Sequence, residues 1–183
     1  VDGASTDDTV EIINSFVGKN SLVVSEPDAG LYHALNKGIA LASGALIGFL
    51  NADDVFADSG VVGRIAEKFQ QNPEVEIVHA DIDFVDSKGC VKRRYRSGPF
   101  SPGRFGWSWT PAHPTFYTYK RNYLKYGVYD PSYRIAADGE LMYRFLELHR
   151  LRPLYESNVW VRMSLGGVST RGIRSTIQIT REM

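Results

Sequence analysis

Apolar and polar residues recur in two rhythms along this chain. Val10, Ile13 and Phe16-Val17 stand at three- and four-residue steps. The same steps return in Leu31, Ala34-Leu35, Gly38-Ile39 and Ala42, and again in Val61-Val62, Ile65-Ala66 and Phe69. That spacing lines one face of a helix, so three amphipathic helices are predicted. Between them lie short apolar runs without helical period: Leu22-Val23-Val24-Ser25, and Ala45 to Leu50 broken only by Gly48. Such runs read as strands buried on both faces of a parallel sheet. Helix, strand, helix, strand is the βαβ alternation of an α/β fold.

The pattern changes past the third helix, which ends before Asn72-Pro73. Val75, Ile77 and Val78 open a strand. Asp81, Asp83 and Asp86 then alternate with Ile82 and Phe84-Val85, which predicts a half-exposed strand with a solvated acidic face. Ser87-Lys88-Gly89 is a turn, and Cys90 to Arg96 pairs back as a hairpin. Residues 97–114 carry four prolines and three glycines and form a long irregular loop bearing Arg104, Trp107, Trp109 and His113. Loops of that length in a compact domain are commonly functional. A strand over Thr115–Tyr119, a short helix over Arg121–Tyr126, a helix running from Asp138 towards Arg150, a strand over Pro153–Met163 and a helix over Ser169–Met183 complete the reading. The chain is read as one domain, 1–183, with residues 1–90 forming a ligand-binding half and 91–183 a second half.

Composition narrows the class. The 183 residues suffice for one domain with a full core. Hydrophobic residues at 43% and charged residues at 23% are ordinary for a globular protein. Lys+Arg and Asp+Glu both number 21, and a balanced charge argues against a nucleic-acid partner. Cys90 is the only cysteine, so an intrachain disulfide and a cysteine-rich zinc site are excluded. No apolar stretch approaches 20 residues, and a cytoplasmic location is the expectation. The sequence opens at Val1-Asp2-Gly3, and Val1 reads as the end of a strand that begins earlier.

The candidate chemistry sits at the end of the Ala45–Leu50 run, in Asn51-Ala52-Asp53-Asp54. Ligands of open α/β sheets bind beyond the carboxyl ends of strands. Adjacent carboxylates repel unless a positive charge lies between them, which suits a divalent cation. A plain turn with an aspartate capping the next helix accounts for the same residues. Right-handed crossovers bring the Asp2 loop to the same sheet edge.

Four motifs in order resemble those of family 2 inverting glycosyltransferases with the nucleotide-sugar-binding α/β fold called GT-A. They are residues 1–7 (Val1-Asp2-Gly3-Ala4-Ser5-Thr6-Asp7), residues 26–38 with Tyr32 and Asn36-Lys37-Gly38, Asn51-Ala52-Asp53-Asp54, and Ala136-Ala137-Asp138-Gly139-Glu140-Leu141. The resemblance implies a mostly parallel sheet flanked by helices, with a small antiparallel part and its first strand missing. It implies Asp54 as ligand of Mn2+ or Mg2+, Asp53 at the ribose or the metal, Asp2 at the base, and Tyr32 and Lys37 at the donor's sugar or phosphate. Asp138 resembles the catalytic base, although a helix cap also calls for a carboxylate there. His113 lines the acceptor pocket in this reading or is a structural histidine. Trp107 and Trp109 stack on an acceptor sugar or pack beneath the loop. Asn51 departs from the family's usual Asp-x-Asp.

The implied activity is transfer of a sugar from a UDP- or GDP-sugar to a glycan or lipid-linked acceptor of a surface polysaccharide, at the inner face of the membrane, with a homo-oligomer as one expected state. Two alternatives stand beside it. One is a nucleotide-sugar- or glycan-binding module without turnover. The other is a sugar-nucleotide pyrophosphorylase, which needs a Gly-rich, basic phosphate loop near its N-terminus that this sequence does not show.

Overall fold

The computed structural model describes residues 1–107 and 109–165. The three amphipathic helices form as expected: α1 (Thr9–Phe16), α2 (Leu31–Leu41) and α3 (Val61–Gln71). Among the described residues six strands build one sheet: β1 (Leu46–Ile47), β2 (Val55–Phe56), β3 (Ile77–Val85), β4 (Val91–Tyr95), β5 (Tyr117–Tyr119) and β6 (Pro153–Ser164). Two further helices follow β5: α4 (Lys120–Tyr126) and α5 (Ala137–Tyr143), the latter continuing as a π-helical turn over Arg144–Leu148.

The α/β class holds, and the sheet is mixed. Its order is β1-β5-β3-β6-β2, with β4 also on β3. β3 is the hub. β6 runs parallel along one of its sides. On the other side β5 pairs antiparallel with Ile77 and Val78, and β4 pairs antiparallel with Ile82 to Val85. β2 and β1 join antiparallel to β6 and β5. The βαβ reading of the first half is therefore corrected in detail. The Leu22–Ser25 run contributes only an isolated parallel bridge, Asp2 to Ser25. The Ala45–Leu50 run pairs only at Leu46 and Ile47, and Leu50 is 40% exposed, because β5 is β1's single partner among the described residues.

β3 departs most from expectation. All nine of its residues are buried. The alternation is real, but both faces are covered. Val78, Ala80, Ile82 and Phe84 face a core with Val61, Ile65 and Phe69 of α3. The carboxylates of the opposite set find partners rather than solvent, as buried charges must. Asp83, 4% exposed, takes two hydrogen bonds from Arg94, its register partner on β4. Asp81 accepts from Tyr155 Oη and from the Ser97 amide. A second core joins Tyr32 and Ile39 of α2, Ile47, Trp109, Tyr129 and the buried residues of α5. The helix expected over Ser169–Met183 lies outside the described residues.

Candidate functional site

Between β5 and β4 one side of β3 lacks a strand partner, and side-chain hydroxyls fill the gap. Thr115 Oγ1 accepts from the Ala80 amide at 3.0 Å, and Ser97 Oγ donates to the Ala80 carbonyl at 2.7 Å. The Ala112 amide donates to the same Ser97 Oγ. Thr115 ends the short 3-10 turn His113–Thr115, so these bonds pin His113 to the middle of the sheet.

The acidic turn arrives from the other direction. The Asp54 amide donates to the Asn51 carbonyl at 3.1 Å, closing the turn that leads into β2. Ser164, at the end of β6, fastens it: its Oγ donates to the Asp53 carbonyl at 2.7 Å, and its amide lies 3.4 Å from Asp54 Oδ1. Asp53 is exposed and Asp54 is buried. Burial pushes the Asp54 carboxyl above its ordinary range, and the Asp53 charge adds to the shift. Among the described residues no Lys or Arg comes within ion-pair distance of either carboxylate.

His113 joins this turn to α5. Asn51 Nδ2 is 3.4 Å from Asp54 Oδ2 and 3.3 Å from His113 Nε2. On its other side, His113 Nδ1 is 3.7 Å from Asp138 Oδ2. Asp138 is in the first turn of α5, where a carboxylate suits the helix dipole. The N-cap is Ala136, which has no capping side chain, so α5 does not take Asp138 as its cap. Buried Ala137, Leu141 and Met142 fix the opposite face, and the Asp138 side chain stays 34% exposed. Of the expected site residues, Asp54 with Asp53 beside it, His113 and Asp138 thus come together, Asn51 linking the turn to His113.

The others lie elsewhere. Asp2 accepts from the Ser5 amide, from Ser5 Oγ and from Ser25 Oγ. The Ser25 and Ser5 bonds hold its carboxyl down at about 2. Val1 and Phe49 both reach the Gly38 face of α2, which sets the Asp2 loop beside the strand leading to Asn51. Lys37 is held by Glu26 at 2.7 Å and Asp28 at 2.6 Å. Tyr32 is buried, stacks on Tyr129 and donates its hydroxyl to the Ile135 carbonyl. The polar atoms of Lys37 and Tyr32 are thus engaged within the protein. The two tryptophans divide: Trp109 is buried and donates to the Ser97 carbonyl, whereas Trp107 is 88% exposed.

A divalent cation fits Asp54 on chemical grounds. A buried carboxylate beside a second negative charge, without a basic partner, is relieved by a hard cation that takes oxygen ligands. Among the described residues no three His, Cys, Asp or Glu side chains group closely enough to hold a metal alone. Ser164 and the bridging role of Asn51 were missed from sequence. Asn51 stood in the motif as a departure from its pattern, while nothing local marks Ser164.

Comparison with known proteins bears on the family and the fold. The family model for glycosyl transferase family 2 matches residues 1–137, ending one residue before Asp138. A PGL/p-HBAD biosynthesis glycosyltransferase of Mycobacterium bovis (BCG) is 28% identical over 148 residues, covering 79% of this chain and 56% of that protein. An uncharacterized glycosyltransferase of Mycobacterium tuberculosis H37Rv is 33% identical over 147 residues, 79% of this chain and 55% of that one. The chain therefore spans about half the length of the curated relatives it matches. The crystal structure of S. aureus TarS 1-349 superposes with a TM-score of 0.66 at 16% identity, over 89% of this chain and 49% of that one. The likeness shows the fold, which is that of GT-A glycosyltransferases. With a family match over three quarters of its length, this chain belongs to glycosyl transferase family 2.

Proposed function

We propose that the protein is a metal-dependent, inverting glycosyltransferase that moves a sugar from a UDP- or GDP-sugar to a glycan or lipid-linked acceptor. The observation that carries this reading is the single histidine link between the Asp54 turn and Asp138. A donor-side carboxylate and an acceptor-side base must flank one anomeric carbon, and the proximity of the Asp54 turn to Asp138 through His113 supports assigning them those roles.

Asp54, with Asp53 beside it, holds Mn2+ or Mg2+ in this reading, and the cation supplies charge neutralisation for the leaving diphosphate. Asp138 accepts the proton of the acceptor hydroxyl as that oxygen attacks the face opposite the leaving group. Its half-exposed position gives an acceptor access to it. Asp2, ionised throughout the neutral range, accepts from the N–H of uracil or guanine. Lys37 and Tyr32 act through the protein: Lys37 ties the Glu26–Asp28 loop to α2, and Tyr32 ties α2 to the segment before α5. No helix of the described residues is long and apolar enough to cross a membrane.

A binding module without turnover is a second reading, and one observation favours it. No residue of α1 is buried, and Phe16 is 84% exposed, so the α1 side of residues 1–90 is incompletely covered. Titration calorimetry with UDP and GDP, with and without Mn2+, tests the donor reading. Metal-linked nucleotide binding that Asp54→Asn abolishes supports it. Binding indifferent to Mn2+ and to Asp54→Asn contradicts it.

A further inference from the structure

The link at His113 also fixes where its proton sits. Asn51 Nδ2 is a donor with two hydrogens and no lone pair to offer. It faces a carboxylate oxygen of Asp54 at 3.4 Å and a ring nitrogen of His113 at 3.3 Å. Turning the amide over would set its oxygen against the Asp54 carboxylate, so Asp54 selects the orientation, an assignment made from the network. His113 Nε2 must then accept, which leaves the proton on Nδ1. The tautomer of a histidine is set by what its other nitrogen does. Nδ1 is the nitrogen nearest Asp138 Oδ2, at 3.7 Å.

We propose that His113 is the positioning residue of Asp138, locked by Asn51 as the Nδ1–H tautomer and directing that hydrogen at Oδ2. The proposal rests on the reading of Asp138 as the base. Donation to Oδ2 orients the carboxylate and leaves Oδ1 for the acceptor hydroxyl. The 3.7 Å separation is longer than a hydrogen bond. Catalytic hydrogen bonds are often long in the free enzyme and close in the substrate complex. The framework suits such a role, because Thr115 and Ser97 anchor the His113 turn to Ala80 at the middle of β3. Asn51, the residue that departs from the Asp-x-Asp pattern, acquires a reason: an aspartate at that place has no hydrogen to give His113 Nε2.

Nitrogen-15 NMR of histidine-labelled full-length protein tests this directly. The chain has four histidines, and loss of one signal in His113→Gln assigns the ring. His113 is expected as the Nδ1–H tautomer, and Asn51→Ala is expected to return it to the Nε2–H form that a solvated imidazole prefers. An Nε2–H tautomer in the unmodified protein overturns the proposal. Turnover with a panel of UDP- and GDP-sugars adds a second readout. His113→Ala is expected to lower kcat roughly 10- to 100-fold, with KM for the donor within about 2-fold. His113→Asn, whose Nδ2 falls near the place of Nδ1, is expected to recover most of that loss, and His113→Gln is not. Equal rates in the Asn and Gln variants contradict the proposal. Wild-type turnover in His113→Ala with an inactive Asp138→Asn defeats this inference alone, whereas an active Asp138→Asn defeats the underlying reading of the base.

Discussion

Asn36 and Tyr129 are joined by a two-point hydrogen bond that ties α2 to the chain before α5. Asn36 Nδ2 donates to the Tyr129 carbonyl at 2.8 Å, and the Tyr129 amide donates to Asn36 Oδ1 at 3.0 Å. A side-chain amide carries both a donor and an acceptor, so it can satisfy the carbonyl and the amide of one residue at once. Asn36→Ala leaves both of these partly buried main-chain groups without a partner, at a cost of about 2–3 kcal/mol. Urea denaturation is expected to show a lowered midpoint with little change in slope.

Gly48 and Tyr117 occupy the same space. A Cβ built on Gly48 falls 1.9 Å from Tyr117 Cε1, and that ring is buried against Trp160. The glycine that interrupts the Ala45–Leu50 run therefore makes room for a neighbouring strand. Gly48→Ala is expected to destabilise by about 1–3 kcal/mol through overpacking. Adding Tyr117→Ala should recover part of that loss, and a double-mutant cycle in urea measures the coupling.

His79 is fully buried on β3, between Trp109 and Tyr155, and neither ring nitrogen is hydrogen-bonded among the described residues. Burial pushes its pKa from the ordinary 6.5 down to about 4. The unfolded chain then binds the proton more tightly than the folded one. The stability involved is fully present above pH 6.5, falls as the pH drops, and is lost by about pH 4, about 3 kcal/mol in all. His79→Leu removes two unpartnered nitrogens. It is expected to match or exceed the wild-type melting temperature at pH 7 and to flatten the fall between pH 6.5 and 4. A variant as acid-sensitive as the wild type contradicts this.

In the proposed reading Asp54 serves the cation at the expense of stability. Its carboxyl is pushed upward by burial and by Asp53, so the ionised form disfavours the fold near neutral pH. Asp54→Asn is expected to raise the melting temperature in the absence of metal while removing Mn2+-linked nucleotide binding. Thermal melts with and without Mn2+ and UDP read both effects.

The helices were legible because their signals are local. Three- and four-residue spacing located α1, α2 and α3, and Asn72-Pro73 marked the end of α3. The β3 face was misread because its partners are not local. Arg94 comes from 11 residues away, Ser97 from 16 and Tyr155 from 74, and alternating aspartates look the same whether water or a distant chain segment covers them. The Ala45–Leu50 strand was overestimated for a related reason: apolar character does not supply a pairing partner. Asp54 and Asp138 stood out by motif, and His113 by residue type within the long 97–114 loop. That one imidazole faces Asp138 on one side and, through Asn51, the Asp54 turn on the other was not legible, since Asn51 and His113 are 62 positions apart.

Turnover of the Asp138→Asn variant of the full-length protein, measured with a panel of UDP- and GDP-sugars beside calorimetry with UDP and Mn2+, bears most directly on the catalytic reading. The amide keeps the shape of the side chain and cannot take the acceptor's proton. A loss of roughly 100- to 10,000-fold in kcat with unchanged nucleotide binding is the expected result, the range a general base contributes. Turnover at the wild-type rate contradicts it and removes Asp138 from the chemistry.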